Sequence, residues 1–162
     1  MGEVEQKLAE LLTEALSLRA ASSIPYSDAS PQVVLNSLLD NRQRVDRLEG
    51  IYLQVVQIRA RLSRRTASTR AEADDAWAQS VVSMKSQGAR SRDQYEGPRE
   101  RYAEADLATL DLKRKVRKAE ELLDIAVEAD DVIKTALRGL NEVIQDHRIW
   151  LRSLQFQTYL EK

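Results

Sequence analysis

The chain has 162 residues and a net charge of −1, with 31% charged and only 5% aromatic residues. This length suits one domain, and the near-neutral charge excludes a general electrostatic attraction to nucleic acid or to anionic membranes. Because the chain contains no cysteine, disulfide frameworks, thiol catalysis and thiolate metal sites are also excluded.

A short N-terminal helix is predicted over residues 1–21. Its apolar residues recur on one helical face: Val4, Leu8, Leu11, Leu12, Ala15 and Leu18. Residues 22–30 predict a loop, since serine and proline dominate them. The N-terminal sequence lacks the features of a signal peptide, and no apolar run is long enough to span a membrane. We therefore expect no membrane contact.

Residues 31–96 predict a first long helical arm. Ser30 and Pro31 form a typical helix start, a capping hydroxyl followed by proline at the first helical position. Three-four spacing marks its apolar seam, which includes Val45, Leu48, Tyr52, Val55, Ile58 and Leu62. Beyond Leu62 the seam thins to smaller residues. Whether the arm is one helix or breaks near residues 63–69 is left open by the sequence.

Residues 98–162 predict a second long arm, separated from the first by a turn at 95–98 that contains Gly97 and Pro98. Its seam has a sustained heptad repeat, in which all positions except Thr109, Asp130 and His147 are apolar or aromatic: Tyr102, Ala105, Thr109, Leu112, Val116, Ala119, Leu123, Ala126, Asp130, Ile133, Leu137, Leu140, Ile144, His147, Leu151 and Leu154. A second stripe runs beside it: Leu107, Leu110, Leu122, Ile125, Ala129, Val132, Ala136, Val143 and Trp150. Two stripes make a face wide enough for two partner helices.

The predicted fold is all-α, a long antiparallel helical hairpin of coiled-coil type. The N-terminal helix doubles back onto the open end of the hairpin and forms a three-helix bundle there. We expect residues 1–162 to form a single elongated domain. A turn centred on Gly97 places Arg64 and Arg65 opposite Asp130 and Asp131, and these ion pairs would select the register rather than add much stability.

Few residues carry chemistry. His147, the only histidine, lies on the apolar seam, where a bundle residue bonded to its neighbours is a better interpretation than a ligand or a catalytic base. The chain has no phosphate-binding loop and no helical His-Glu metal motif. We expect no enzyme activity, no metal, no cofactor and no small-molecule substrate.

One candidate surface for a protein partner lies on the arms near the turn. Its apolar side chains cannot all be covered by one opposing helix: Trp77, Val81, Val82, Leu107 and Leu110. The sequence therefore predicts a homo-oligomer, a protein partner, or both.

A second candidate surface is basic. Its residues surround the predicted turn and the start of the second arm: Arg90, Arg92, Arg99, Arg101, Lys113 and Lys115. Such side chains, interleaved with tyrosines, could bind a phosphate backbone, although salt-bridged helix surfaces have the same composition.

The block at residues 95–111, which reads YEGPRERYAEADLATLD, resembles a group of small helical proteins of actinobacteria and their phages. The similarity covers mainly the second arm. It implies a cytoplasmic accessory protein, encoded by an actinobacterium or by a phage, and carries over no catalytic residue.

The function expected from the sequence is that of a non-enzymatic helical interaction or adaptor protein that self-associates. A nucleic-acid-binding accessory factor of phage replication or recombination is the first alternative. A phage structural or scaffolding component is the second.

Overall fold

The computed structural model describes residues 2–19, 24–27, 29–88 and 98–160, with side chains for all of these except 84–88, 98–101, 156 and 159–160. Four α-helices form within these ranges: α1 (Gly2–Leu18), α2 (Pro31–Gly88), α3 (Pro98–Ala108) and α4 (Leu110–Leu160). No strand occurs in the described ranges, which confirms the all-α prediction.

Local hydrogen bonds mark the end of α1 and the start of α2. α1 ends at Leu18, earlier than the predicted residue 21, and the Arg19 amide donates to the Leu16 carbonyl at 3.3 Å. α2 begins at Pro31 as predicted, and the Ser30 hydroxyl accepts a bond of 3.4 Å from the Val33 amide. This side-chain cap satisfies one of the amides that a helix start leaves without a partner.

α2 runs without interruption through residues 63–69, so the break considered there does not occur. The threonines of this segment bond back to the helix, Thr66 to the Leu62 carbonyl and Thr69 to the Arg65 carbonyl, each at 2.9 Å. Threonine can be accommodated inside a helix when its hydroxyl group is bonded in this way. The rest of the first arm, residues 89–96, and residues 95–97 of the predicted turn lie outside the described residues.

The second arm is divided at Thr109, where the sequence predicts one helix. Its hydroxyl donates to the Ala105 carbonyl at 2.8 Å, the same type of bond that Thr66 and Thr69 make inside the unbroken α2, so this bond does not account for the division. The Thr109 amide still donates to Ala105 at 3.1 Å, and its carbonyl accepts from Lys113 at 3.0 Å. The interruption is therefore confined to a single position.

The structure confirms the helical hairpin, in which α2 and α4 pack antiparallel, with α1 completing a three-helix bundle. Contacts divide the chain into two compact units, unit 1 (Met1–Ile58 and Ala126–Lys162) and unit 2 (Arg59–Ile125). That residues 1–162 form one elongated domain stays a prediction.

Unit 1 has a core of large aliphatic side chains from three helices. An ion pair of 2.8 Å between Glu14 and Arg47 joins α1 to α2 at its edge. The buried apolar residues are Leu8, Leu11, Ala15, Val34, Leu38, Val45, Leu48, Ile51, Val55, Ala126, Ala129, Ile133, Ala136, Leu140 and Ile144. Removing a buried leucine side chain from such a core costs about 2–5 kcal/mol.

Unit 2 has a core of smaller side chains. Its buried residues are Leu62, Thr66, Ala73, Ala105, Thr109, Ala119 and Leu122. Alanine and threonine allow close approach of helices but remove little apolar area from water, so each such contact stabilises the pair only weakly.

The predicted register was wrong. A turn centred on Gly97 would place Arg70 opposite Asp124 and Ser37 opposite Gln157, whereas Arg70 pairs with Glu120 and Ser37 bonds to His147. The segment between the end of α2 at Gly88 and the start of α3 at Pro98 is centred on residue 93, not on Gly97. The residue of the second arm that faces a given residue of α2 therefore lies nearer the start of the second arm than predicted.

Gly50 offers a test of the helix interior. It is exposed within α2, and a methyl group at this position would have no atom within 4 Å. Since alanine loses less backbone freedom on folding, Gly50→Ala should raise the free energy of unfolding by about 0.5–1 kcal/mol in urea denaturation. The exposed Gln43→Gly change should lower it by a similar amount. A neutral or destabilising Gly50→Ala variant would contradict the helix at this position.

Candidate interaction surfaces

The second apolar stripe of the second arm is covered in unit 1 and exposed in unit 2. In unit 1, Ala129 and Ala136 are buried and its other members, Val132, Val143 and Trp150, are half-buried. In unit 2 only Leu122 is buried, while Leu107 is 72%, Leu110 41% and Ile125 38% exposed. Three of the four large members of the stripe in unit 2 are thus exposed to water.

Leu107 and Leu110 lie on either side of the interruption at Thr109. The two bonds made by the Thr109 backbone span four residues each, as in a continuous α-helix. Residues one turn apart share a helix face, so the two leucines form one apolar patch rather than two separate sites.

Trp77 is anchored on the α2 side of this region. Its ring stacks on Tyr102 with centroids 5.8 Å apart and planes 14° from parallel, and its indole N–H donates to Asp106 Oδ1 at 3.0 Å. Both Trp77 and Val81 are half-buried. Val82, the next residue, is 65% exposed. Of the five predicted partner-surface residues, Val82, Leu107 and Leu110 are thus free to contact a partner, and Trp77 and Val81 support the helix pair.

Charges around Trp77 are arranged in pairs. Lys113 donates to the same Asp106 oxygen at 2.5 Å, and this bond lowers the pKa of Asp106. An ion pair between Arg70 and Glu120 joins α2 to α4. Together these side chains border a shallow groove of about 720 Å³ with Ala73 and Val116 at its apolar part. The groove is nearly balanced in charge and does not favour an anionic ligand.

The predicted basic surface is only partly described. Arg90 and Arg92 lie outside the described residues, and so do the side chains of Arg99 and Arg101, which belong to α3. Lys113 is bound to Asp106, and Lys115 is exposed.

The neighbouring arginines of α4 are also paired. Arg114 contacts Asp111 at 3.4 Å and Arg117 contacts Glu121 at 3.4 Å. These pairs reduce the positive potential that a phosphate backbone would meet on this helix.

Of the predicted register pairs, Arg64, Arg65 and Asp131 are exposed, and Asp130 is 1% exposed. Asp130 accepts a hydrogen bond of 2.6 Å from Lys134, one turn along α4, and this bond raises the pKa of the Lys134 ammonium. Pairing of Arg64 and Arg65 with Asp130 and Asp131 would require the register centred on Gly97, from which the Arg70–Glu120 and Ser37–His147 contacts depart.

A polar cluster fills the core of unit 1 at His147. The Tyr26 hydroxyl lies 2.7 Å from His147 Nδ1, and His147 Nε2 lies 2.9 Å from the Ser37 hydroxyl. The Tyr26 ring also stacks on Trp150, with centroids 5.5 Å apart, and meets the imidazole edge-on. Loop, α2 and α4 are joined in one hydrogen-bond chain, as expected for a histidine bonded to its neighbours in the bundle.

Burial controls the protonation of this cluster. It lowers the pKa of His147 and raises the pKa of Tyr26, because both charged forms would lose hydration. The charge of Asp146 raises both pKa values, and so opposes the effect of burial on the histidine. A neutral imidazole accepts through one ring nitrogen and donates through the other, and the two hydroxyls can complement either tautomer.

The contact of Ser37 with His147 has the composition of a nucleophile and a base. His147 is 1% and Ser37 8% exposed, so a substrate could not reach the serine without opening the bundle. The cluster therefore acts in packing.

The sequence indicated that His147 is a bundle residue bonded to its neighbours, which the structure confirms. Ser37 was missed because it is an ordinary polar residue in a helix, and its partner is 110 positions away. Only the correct register could have identified it.

Within the described residues, no group of three or more His, Cys, Asp or Glu side chains could hold a metal ion, and no helix is long and apolar enough to cross a membrane. No protein family, curated protein or solved structure matches the chain.

The buried histidine predicts a pH-dependent stability. Since the folded-state pKa of His147 lies below the ordinary value of 6.5, the unfolded chain binds the proton more readily. The free energy of unfolding should be highest above pH 6.5 and fall on acidification until the folded-state pKa is passed. Each unit of pKa difference contributes about 1.4 kcal/mol. Urea denaturation between pH 7.5 and 5.5 measures this slope, and His147→Gln should flatten it. An unchanged slope in the variant would contradict the assignment.

Proposed function

We propose that this protein is a non-enzymatic helical interaction protein that self-associates through unit 2. The resemblance to small helical proteins of actinobacteria and their phages extends the proposal to an accessory or adaptor role in the cytoplasm. The observation that carries the proposal is the exposure of the second apolar stripe in unit 2, at Leu107, Leu110 and Ile125.

The composition of the unit 2 core explains why burial of these exposed residues by a partner would stabilise the protein. Alanine and threonine dominate the buried positions, so the helix pair gains little stability from its own interior. Exposed leucines beside such a thin core can be buried only by another surface. Large apolar groups left in water beside a polar rim are typical of contact sites between proteins.

A second copy of the chain is the simplest partner. Two helix pairs related by a twofold axis would form a four-helix bundle, with each copy presenting the same patch. A protein of another kind with an apolar helix face remains part of the same proposal.

The nucleic-acid alternative has less support. Lys113, Arg114 and Arg117 already have carboxylate partners, and the chain carries a net charge of −1. Binding to a phosphate backbone would have to break these pairs or use other bases. A scaffolding role would differ from both in producing large assemblies.

Replacing the two leucines tests the proposed interface. We expect the wild-type protein to form a dimer at micromolar concentration and Leu107→Glu/Leu110→Glu to raise the dissociation constant at least about tenfold, because two carboxylates would be buried in an apolar contact. Analytical ultracentrifugation over a concentration series measures both constants.

The matched control is Leu53→Glu/Ile149→Glu, which places the same charges at two exposed apolar positions of unit 1. It should leave the dissociation constant unchanged. A wild-type monomer at about 100 μM, where a stable interface would be saturated, would contradict the proposal. An equal effect of both double variants would remove the patch from it.

Adding DNA to the same measurement separates the alternatives. We expect no binding of fluorescent single- or double-stranded DNA at physiological salt. If DNA binds, with an affinity that falls steeply as salt rises and is lost in Lys113→Glu/Lys115→Glu, the nucleic-acid alternative replaces the adaptor. Particles much larger than a dimer would favour the scaffold.

A further inference from the structure

A pocket of about 330 Å³ lies between α2 and α4 in unit 1, and no described residue of α1 lines it. Val45 and Ile144 are buried and form its apolar floor. Arg42 and Asp46, one helical turn apart, border the pocket on α2, and Arg148 borders it on α4. Two cations and one anion therefore surround an apolar surface that is large enough for a small molecule.

The charged side chains of this pocket differ from their neighbours in having no ionic partner. Within the described ranges, none of the three forms an ion pair. By contrast, Arg44 of α2 contacts Asp40, and Arg47 contacts Glu14. Arg148 is half-buried, so its guanidinium group has lost part of its hydration without gaining a carboxylate. An anion bound between the two arginines of the pocket would compensate for this loss and reduce their mutual repulsion.

The other polar groups of the pocket indicate which anion fits. Asn141 and Gln145 also line it, and each amide group has two N–H donors. A guanidinium group is a planar fork that matches the two oxygens of a carboxylate. Two guanidinium groups and the one carboxylate of Asp46 leave a net charge of +1, which favours a ligand with a single negative charge. Asp46 can also accept a hydrogen bond from a hydroxyl or ammonium group.

We propose that this pocket binds a small organic acid, whose carboxylate lies between Arg42 and Arg148 and whose neighbouring hydroxyl or ammonium group donates to Asp46. Small 2-hydroxy acids and amino acids have this chemistry. The lining residues that the structure describes include no serine, histidine or lysine, so we expect the ligand to be bound unchanged. The site belongs to unit 1 and does not depend on self-association through unit 2.

The sequence does not indicate this pocket, because its two arginines belong to different arms. Only the packing of α4 along α2 brings Arg42 and Arg148 to the same pocket.

Titration of the isotope-labelled full chain with sodium L-lactate tests the site by two-dimensional NMR. L-Lactate carries one carboxylate and one neighbouring hydroxyl. At pH 7 and constant ionic strength, the side-chain Nε–H signals of Arg42 and Arg148 should shift and saturate. We expect a dissociation constant of about 1–10 mM, as suits a ligand of so few atoms. Propionate, which lacks the hydroxyl group, should bind at least about threefold more weakly, because it leaves Asp46 without a donor.

Variants of the charged residues connect these shifts to the pocket. Arg42→Gln and Arg148→Gln should each weaken lactate binding at least about tenfold, with the remaining arginine as the reporter, because each removes charge-assisted hydrogen bonds. Glutamine is a good helix former, so both variants should keep the circular dichroism of the wild type. Asp46→Ala should abolish the preference for lactate over propionate. The control is Lys7→Gln, which removes one exposed positive charge of α1 and should leave the dissociation constant unchanged.

Three results would overturn the proposal. The first is the absence of a saturating shift at about 100 mM lactate, well above the expected dissociation constant. The second is equal weakening of binding in Lys7→Gln, which would assign the shifts to the overall charge of the protein. The third is tighter binding of inorganic phosphate than of lactate, since this would identify a site for phosphate groups. None of these results bears on the interface at Leu107 and Leu110.

Discussion

The apolar seam of α4 packs along α2 in an antiparallel direction, and each further contact of the molecule is placed by that packing. It brings His147 to Ser37 in unit 1 and Glu120 to Arg70 in unit 2. The sustained heptad repeat is the physical cause, since side chains spaced by three and four residues keep one face of each helix in contact over many turns. α1 can pack against this helix pair because a second apolar stripe lies beside the seam of α4.

Both units use the same helix pairing but fill it differently. In unit 1, leucine, isoleucine and valine from three helices exclude water. Unit 2 buries mainly alanine and threonine, and two of its leucines, Leu107 and Leu110, are exposed. Burial of apolar area is the main favourable contribution to folding, so the two cores differ in how much stability they can supply. A thin core beside an exposed apolar stripe is the reason to assign association to unit 2 rather than to unit 1.

Local pattern predicted most of the fold and little of the geometry. The heptads of the second arm indicated the hairpin, the seam and the buried places of Asp130 and His147, and Ser30 with Pro31 indicated the start of α2. The register was wrong because it was counted from Gly97, whereas side-chain packing along the whole helix pair sets it. The second arm is interrupted at Thr109, whereas threonines in α2 make the same hydroxyl bond without such an effect, so no sequence pattern identifies the position. The Tyr26 contact joins positions 121 apart and depends on how a loop folds, which no periodicity encodes.

Three polar side chains are almost completely enclosed in unit 1: Asn41, Asp130 and His147. An apolar seam that repeats every seven residues would fit nearly as well if one helix slid along the other by a heptad, because leucine would again meet leucine or valine. The bond between His147 of α4 and Ser37 of α2 would be lost in such a displaced alignment, which would leave two buried polar groups without each other. Buried polar contacts of this kind favour one register of the helix pair, whereas a purely apolar pair would allow several.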